Sequence, residues 1–267
     1  MTKNRIDQTF ERLKKQNRKA FIPYITAGYP DIKTTKILVQ KFEKIGCDIV
    51  ELGVPFSDPI ADGPVIQMAS QKALEKGVSL KIIIQMVKEL REKIKIPIVL
   101  MAYYNPIFVY GIKKFVQDAT KNGVDGVIIP DLPPEEAQEI IDIAKKYSLN
   151  TIFLLTPTSS KKRIRIVAKK GTGFIYYVSV VGVTGERKEL PEQLVEEIKF
   201  IKSLTHRPIC VGFGISNPQQ AKTLAQHCDG VIVGSAIVKK IQENVHSKDI
   251  LGKTAFFVEG LLRAVKS

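Results

Sequence analysis

Apolar positions along this chain fall into two alternating textures: short β-branched runs, and longer stretches in which apolar residues recur every three or four positions. The runs predict strands over 20–25, 48–51, 96–101, 126–129, 151–155, 174–179, 208–212 and 230–233. The longer stretches predict helices over 32–45, 80–93, 112–122, 134–147, 161–169, 191–203, 218–225 and 253–265, with extra short helices at 6–15, 64–75 and 235–241. Strict alternation selects a parallel sheet, because parallel neighbours need crossover helices that cover the sheet. Eight strand–helix units in 267 residues, with no early GxGxxG, favour an α/β fold of the closed (β/α)8 TIM-barrel type over an open doubly wound sheet. There is no linker or low-complexity run, so one domain spanning 1–267 is expected.

In such a barrel the loops after the strands build the active site, so residues at strand C-termini carry the candidate chemistry. The segment Val50-Glu51-Leu52-Gly53-Val54-Pro55-Phe56-Ser57-Asp58-Pro59-Ile60-Ala61-Asp62-Gly63-Pro64 places carboxylates just beyond an apolar run. Glu51 is expected at the end of a buried strand, where desolvation raises a carboxyl pKa, and Asp62 in a loop that Pro55, Pro59, Gly63 and Pro64 keep from becoming helix. Two carboxylates in unlike surroundings can do different proton work. The alternative roles are an ion-paired Glu51 and an Asp62 that only caps a turn. Asp131, in Pro130-Asp131-Leu132-Pro133-Pro134, reads as a supporting residue at a helix start.

Two late loops read as anion cradles. Gly212-Phe213-Gly214-Ile215-Ser216-Asn217-Pro218 follows the seventh strand and Gly234-Ser235-Ala236 the eighth; both lead into helix N-termini, as in the barrel phosphate site. The long loop 180–191 has a glycine-hinged composition suited to a lid, and its Gly185 can add a phosphate contact. Phe21, Met101, Leu154, Tyr176 and Phe213 supply apolar surface, either as core or as a flat pocket for an aromatic ring.

Composition removes several alternatives. No apolar stretch approaches the ~20 residues of a membrane helix, and the charged first 16 residues lack a secretory signal's apolar core, so a cytoplasmic protein is expected, or a plastid stromal one if encoded there. Cys47, Cys210 and Cys228 form no CxxC pair, and no metal site is expected. The net charge of +14 is scattered over nearly every predicted helix, and the densest cluster, residues 161–165, has no interleaved aromatics, so neither nucleic acid nor a membrane is expected as partner. No predicted strand end carries a lysine for Schiff-base chemistry, and His206, His227 and His246 lie away from strand ends.

The sequence resembles the tryptophan synthase α chain family over essentially its whole length. The resemblance rests on Phe21-Ile22-Pro23-Tyr24-Ile25-Thr26-Ala27-Gly28-Tyr29-Pro30, on the Glu51 to Pro64 segment, and on Asp131-Leu132-Pro133, Gly182-Val183-Thr184-Gly185 and Gly212-Phe213-Gly214-Ile215-Ser216. It implies cleavage of indole-3-glycerol phosphate to indole and glyceraldehyde 3-phosphate without cofactor, in an α2β2 heterotetramer whose β chain receives the indole. By position, Glu51 matches the general acid–base and Asp62 the carboxylate at the indole N–H; Tyr176 and Phe213 match the indole pocket. Gly185, Gly214, Gly234 and Ser235 match phosphate contacts, Thr184 the lid residue that meets the aspartate, and Pro55, Asp58 and Asn105 partner-facing loops. Val180 departs from relatives that carry arginine there. A non-catalytic barrel subunit and a phosphosugar isomerase remain the rival readings; the latter typically uses aspartates where this chain has Thr26 and Thr156.

Overall fold

A computed structural model describes residues 4–178, 192–212 and 214–267. Helix α1 (Arg5–Lys15) precedes β1 (Ala20–Thr26), α2 (Ile32–Ile45), β2 (Val50–Gly53), α3 (Pro64–Glu75), α4 (Leu80–Arg91) and β3 (Ile98–Met101). Then come α5 (Tyr104–Tyr110), α6 (Ile112–Lys121), β4 (Gly126–Ile128), α7 (Gln138–Lys146), β5 (Asn150–Ile152), β6 (Leu154–Leu155) and α8 (Lys161–Lys170). The chain ends with β7 (Ile175–Val178), α9 (Glu192–Leu204), β8 (Ile209–Gly212), α10 (Pro218–Ala225), β9 (Gly230–Val233), α11 (Ser235–Glu243) and α12 (Ile250–Lys266). All described strand pairs are parallel, in the order β5-β4-β3-β2-β1-β9-β8-β7-β6. The expected (β/α)8 barrel is therefore present.

The two ends of that sheet lie on one stretch of chain. The expected strand 151–155 is split at Phe153, its first part pairing with β4 and its second with β7. The split stave is thus the seam at which the barrel closes.

Alternation along the strands separates two cores. Ala20, Ile22, Ile49, Val99, Ile128, Ile152, Phe174, Cys210 and Ile232 fill the barrel interior. Residues of opposite parity, among them Phe21, Ile25, Val50 and Leu52, join the core beneath the helices. Helix α1 closes the N-terminal end: Ile6, Phe10 and Leu13, on one helical face, join the interior core, with the Phe10 and Phe174 ring centroids 5.7 Å apart.

Three aspartates pin the strand starts. Asp48 Oδ2 accepts from Phe21 N at 2.8 Å, Asp125 Oδ2 from Ile98 N at 2.8 Å, and Asp229 Oδ2 from Ile209 N at 3.0 Å. Each also meets a cation: Lys266, the pair Arg91 and Arg5, and Lys202, respectively. The outer helices run back against the strands, so their C-termini gather at this same end. Lysines and arginines occupy most of those last turns, including Lys44, Lys121, Lys145, Lys146, Lys169, Lys170, Lys202 and Lys266. Positive charge there complements the roughly half negative charge of a helix C-terminus.

Helices 32–45, 64–75 and 218–225 have the bounds expected from sequence. Strand β2 differs: it starts at Val50, after the pinned Asp48, and continues to Gly53 because β1 and β3 pair with it that far. Glu51 is accordingly the second residue of the strand rather than its last. The expected helix 134–147 begins only at Gln138, since Pro133 and Pro134 occupy the preceding turn. Helix α5 was not anticipated; its Tyr104-Asn105-Pro106-Ile107-Phe108-Val109-Tyr110 is short and rich in weak helix formers. Asp131 Oδ1 accepts from its first N–H, at Tyr104, over 2.9 Å.

Asp125→Ala would leave the Arg91 guanidinium, only 12% exposed, without its carboxylate, and is expected to cost about 3 kcal/mol. Urea unfolding checks this; a change within experimental error would mean that Asp125 is not a structural anchor.

Candidate active site

Glu51 lies on the inner face of β2, flanked in register by Tyr24 on β1 and Val99 on β3. It is 0% exposed, and neither carboxylate oxygen has a hydrogen-bond partner among the described residues. Burial, and then the charge of Asp62, push its pKa from 4.5 up to about 8. A carboxyl in that state is a proton donor at neutral pH.

Asp62 is carried by the β2–α3 loop and is half-buried. The loop is tied down on both sides of it: Ala61 N donates to the Tyr103 hydroxyl at 2.9 Å, and Gln67 Nε2 donates to the Asp62 carbonyl at 2.8 Å. The Tyr103 ring packs against Phe56 with centroids 5.1 Å apart. Burial raises the Asp62 pKa from 3.8 to about 6, and the neighbouring Tyr103 hydroxyl offsets part of that rise. Two carboxylates therefore share one mouth, Glu51 protonated and Asp62 mostly ionised near neutrality.

Above them the pocket is walled by two tyrosines seated on glycines. A Cβ at Gly53 would collide with the Tyr24 hydroxyl, one at Gly234 would meet the same ring at 3.2 Å, and one at Gly212 would meet the Tyr176 ring at 2.9 Å. Met101 completes β3 on the same inward parity, half-buried. Phe21 does not belong to this wall. Its parity is opposite to that of Ala20 and Ile22, so its side chain lies in the core beneath the helices. The residue of β1 that enters the site is Tyr24, which sequence reading passed over; counting alternate residues back from Thr26 at the strand end would have found it. The Thr26 hydroxyl is likewise buried without a partner among the described residues.

Of the anion-cradle residues, Gly214 takes a left-handed φ of +61° with open space where a side chain would project. Asn217 caps α10 by accepting from Gln220 N at 3.0 Å. Gly234 is the N-cap of α11, and Ser235, its first residue, is exposed. Thr184, Gly185, Val180 and Phe213 lie outside the described residues, as does the remainder of the expected lid.

The three residues expected at a partner surface differ in placement. Asp58 is exposed, and Asn105 is exposed in the first turn of α5 rather than in a loop. Pro55 is buried within the chain. Close to Asp58 and Asn105 in sequence, Ile60, Phe108 and Val109 are 84%, 62% and 78% exposed. Among the described residues, no cluster of His, Cys, Asp or Glu could hold a metal ion, and no helix is long and apolar enough to cross a membrane.

A closed parallel barrel with a buried carboxyl and a more solvated one at its C-terminal mouth has the architecture of a barrel-class enzyme. A family model for the tryptophan synthase alpha chain matches residues 10–264. The tryptophan synthase alpha chain of Geotalea daltonii is 51% identical over 257 residues, 96% of this chain and 97% of that protein. That of Caldanaerobacter subterraneus is 49% identical, covering 97% of this chain and 98% of that one. The crystal structure of tryptophan synthase subunit alpha from Legionella pneumophila superposes with a TM-score of 0.92 at 38% identity, covering 98% of both chains. The chain belongs to the tryptophan synthase alpha chain family, whose members are lyases that cleave indole-3-glycerol phosphate.

Ser235→Asp would place a carboxylate at the N-terminus of α11 and is expected to weaken phosphate-bearing ligands at least tenfold by charge repulsion. Calorimetric titration with glyceraldehyde 3-phosphate checks this, and unchanged affinity would remove Ser235 from the phosphate site.

Proposed function

We propose that Glu51 and Asp62 divide the proton work of a retro-aldol cleavage that needs no lysine or metal. The observation that carries this reading is the wholly buried Glu51 carboxyl, without a hydrogen-bond partner among the described residues and held protonated beside an Asp62 of lower pKa. Glu51 delivers its proton to C3 of the indole ring, generating an iminium-like electron sink. Asp62, ionised, stabilises the N–H of that cation by charge and hydrogen bond. The Glu51 carboxylate then takes the proton from the neighbouring glycerol hydroxyl. The C–C bond breaks, its electron pair returns to the ring, and the oxygen becomes the aldehyde carbonyl of glyceraldehyde 3-phosphate. Glu51 ends the cycle protonated, as it began.

Tyr24, Tyr176 and Met101 line the space for the indole ring, with Phe213 and Thr184 expected to join them. Gly214, Gly234 and Ser235, with Gly185, hold the phosphate at the α10 and α11 side of the mouth. A β chain docks over the exposed Asp58, Ile60, Asn105, Phe108 and Val109 and receives the indole; the exposure of three large apolar side chains supports this. In this reading residues 1–267 act as one domain, in the cytoplasm or a plastid stroma.

Glu51→Gln is expected to keep the fold and phosphate affinity while lowering kcat by at least about a hundredfold; near-normal turnover of the purified variant would defeat the assigned role. Activity requires Glu51 protonated and Asp62 ionised. It should therefore rise as pH increases through about 6 and fall above about 8, a bell in the kcat/KM profile. Indole release from indole-3-glycerol phosphate, with and without a tryptophan synthase β chain, tests both lyase and partner. A rise on adding the β chain supports them, and no release in either condition from folded protein would favour a non-catalytic barrel.

A further inference from the structure

Glu51 must alternate between a neutral acid and a carboxylate, yet its oxygens have no hydrogen-bond partner among the described residues. An anion forming there without a donor would face the full cost of burial. The groups that face it are Asp62 from the β2–α3 loop, Tyr24 on β1, Tyr176 on β7 and Cys210 on β8. Asp62 repels a second negative charge, and the Cys210 thiol is a weak donor. Tyr176 has its hydroxyl at the level of Gly212, across the barrel.

Tyr24 is placed differently. It is the direct register neighbour of Glu51 on the adjoining parallel strand, and both side chains point inward. Its ring is wedged against Gly53 and Gly234, which fixes the hydroxyl over Gly53, one inward position nearer the mouth than Glu51 on the same strand. A glutamate side chain swinging from the core toward the mouth passes that hydroxyl. Burial, then the charge of Asp62 and, less, that of Glu51, hold the Tyr24 phenol well above its ordinary pKa, with the nearby Thr26 hydroxyl offsetting part of the rise, so the phenol remains a donor at every working pH.

We propose that Tyr24 is a positioning residue for Glu51: its hydroxyl donates a hydrogen bond to the Glu51 carboxylate once that group has given up its proton. The bond stabilises the ionised half of the cycle and sets how far up the mouth the carboxylate stands when it turns to the glycerol hydroxyl. This role rests on the acid–base assignment of Glu51 and adds to it.

The test is Tyr24→Phe, which keeps the ring in its glycine seat and removes only the donor. Loss of a hydrogen bond to a charged group is expected to move the basic limb of kcat/KM upward by about one to two pH units. With the acid weakened, kcat should fall about three- to tenfold, while the KM for indole-3-glycerol phosphate stays within about twofold. A readout independent of turnover is the Glu51 titration followed by carbon NMR in protein labelled at the glutamate carboxyl, with Glu51→Gln identifying the signal. That titration should move upward in Tyr24→Phe. An unmoved Glu51 signal overturns the proposal, as does a shift of the acidic limb alone, which would assign the hydroxyl to Asp62. A raised KM with unchanged kcat would make Tyr24 only a wall of the pocket. These outcomes are separable from failure of the acid–base reading, which would appear as activity retained in Glu51→Gln itself.

Discussion

A carboxyl group kept out of water without a partner is unfavourable to ionise, and the upper layer of this barrel is arranged around that fact. Glu51 occupies an inward position of β2, where the next inward residues are Ile49 below and Gly53 above. Apolar packing below it removes solvent, and with no compensating cation among the described residues the proton stays in place. Had a lysine or arginine stood at the neighbouring inward positions, the same glutamate would be an ion pair of ordinary acidity. The rigid barrel matters because the unfavourable site must be sustained by cohesion elsewhere, and the aspartate clasps at the strand starts supply part of it.

Those clasps place part of the structural burden at the end of the barrel away from the chemistry. At the N-terminal end aspartates meet backbone amides and cations, and helix α1 covers the interior core, although the Asn150 amide nitrogen at the start of β5 is buried without a partner among the described residues. The orphaned oxygens among the described residues lie elsewhere: those of Thr26 and Glu51 belong to the mouth, and that of Thr254 is on α12. The strong net positive charge also has a structural source. Because the outer helices all return toward the strand starts, lysines that complement their C-termini accumulate on that end without any ligand being required.

Much of this was legible in the sequence. The alternation of two periodicities gave the barrel, and three helices matched their expected bounds because a cap or proline marks each start: Asp31, Gly63-Pro64 and Asn217-Pro218. Glu51 and Asp62 were visible as carboxylates beside an apolar run. What was not legible depends on parity and on register across strands. Phe21 and Tyr24 are both aromatic residues of one strand, and only the phase of the pleat decides which enters the site. The start of β2 was misjudged because Asp48 reads as part of an apolar run until its contact with Phe21 N, a long-range bond, is known. Helix α5 gives no clear signal because its residues are poor helix formers held by Asp131 from another loop.

The tyrosine walls are shaped by carbon atoms that are missing. Gly53, Gly212 and Gly234 form a mould in the backbone, and the rings fit it only while those three positions stay bare. One added methyl group at Gly212 would press on the Tyr176 ring, and one at Gly53 or Gly234 would push on Tyr24 and so on the hydroxyl beside Glu51. Selectivity for the shape of the ring and competence for proton transfer thus meet in the Tyr24 ring, so a change in its seat reaches both, while the seat of Tyr176 bears on the outline of the pocket.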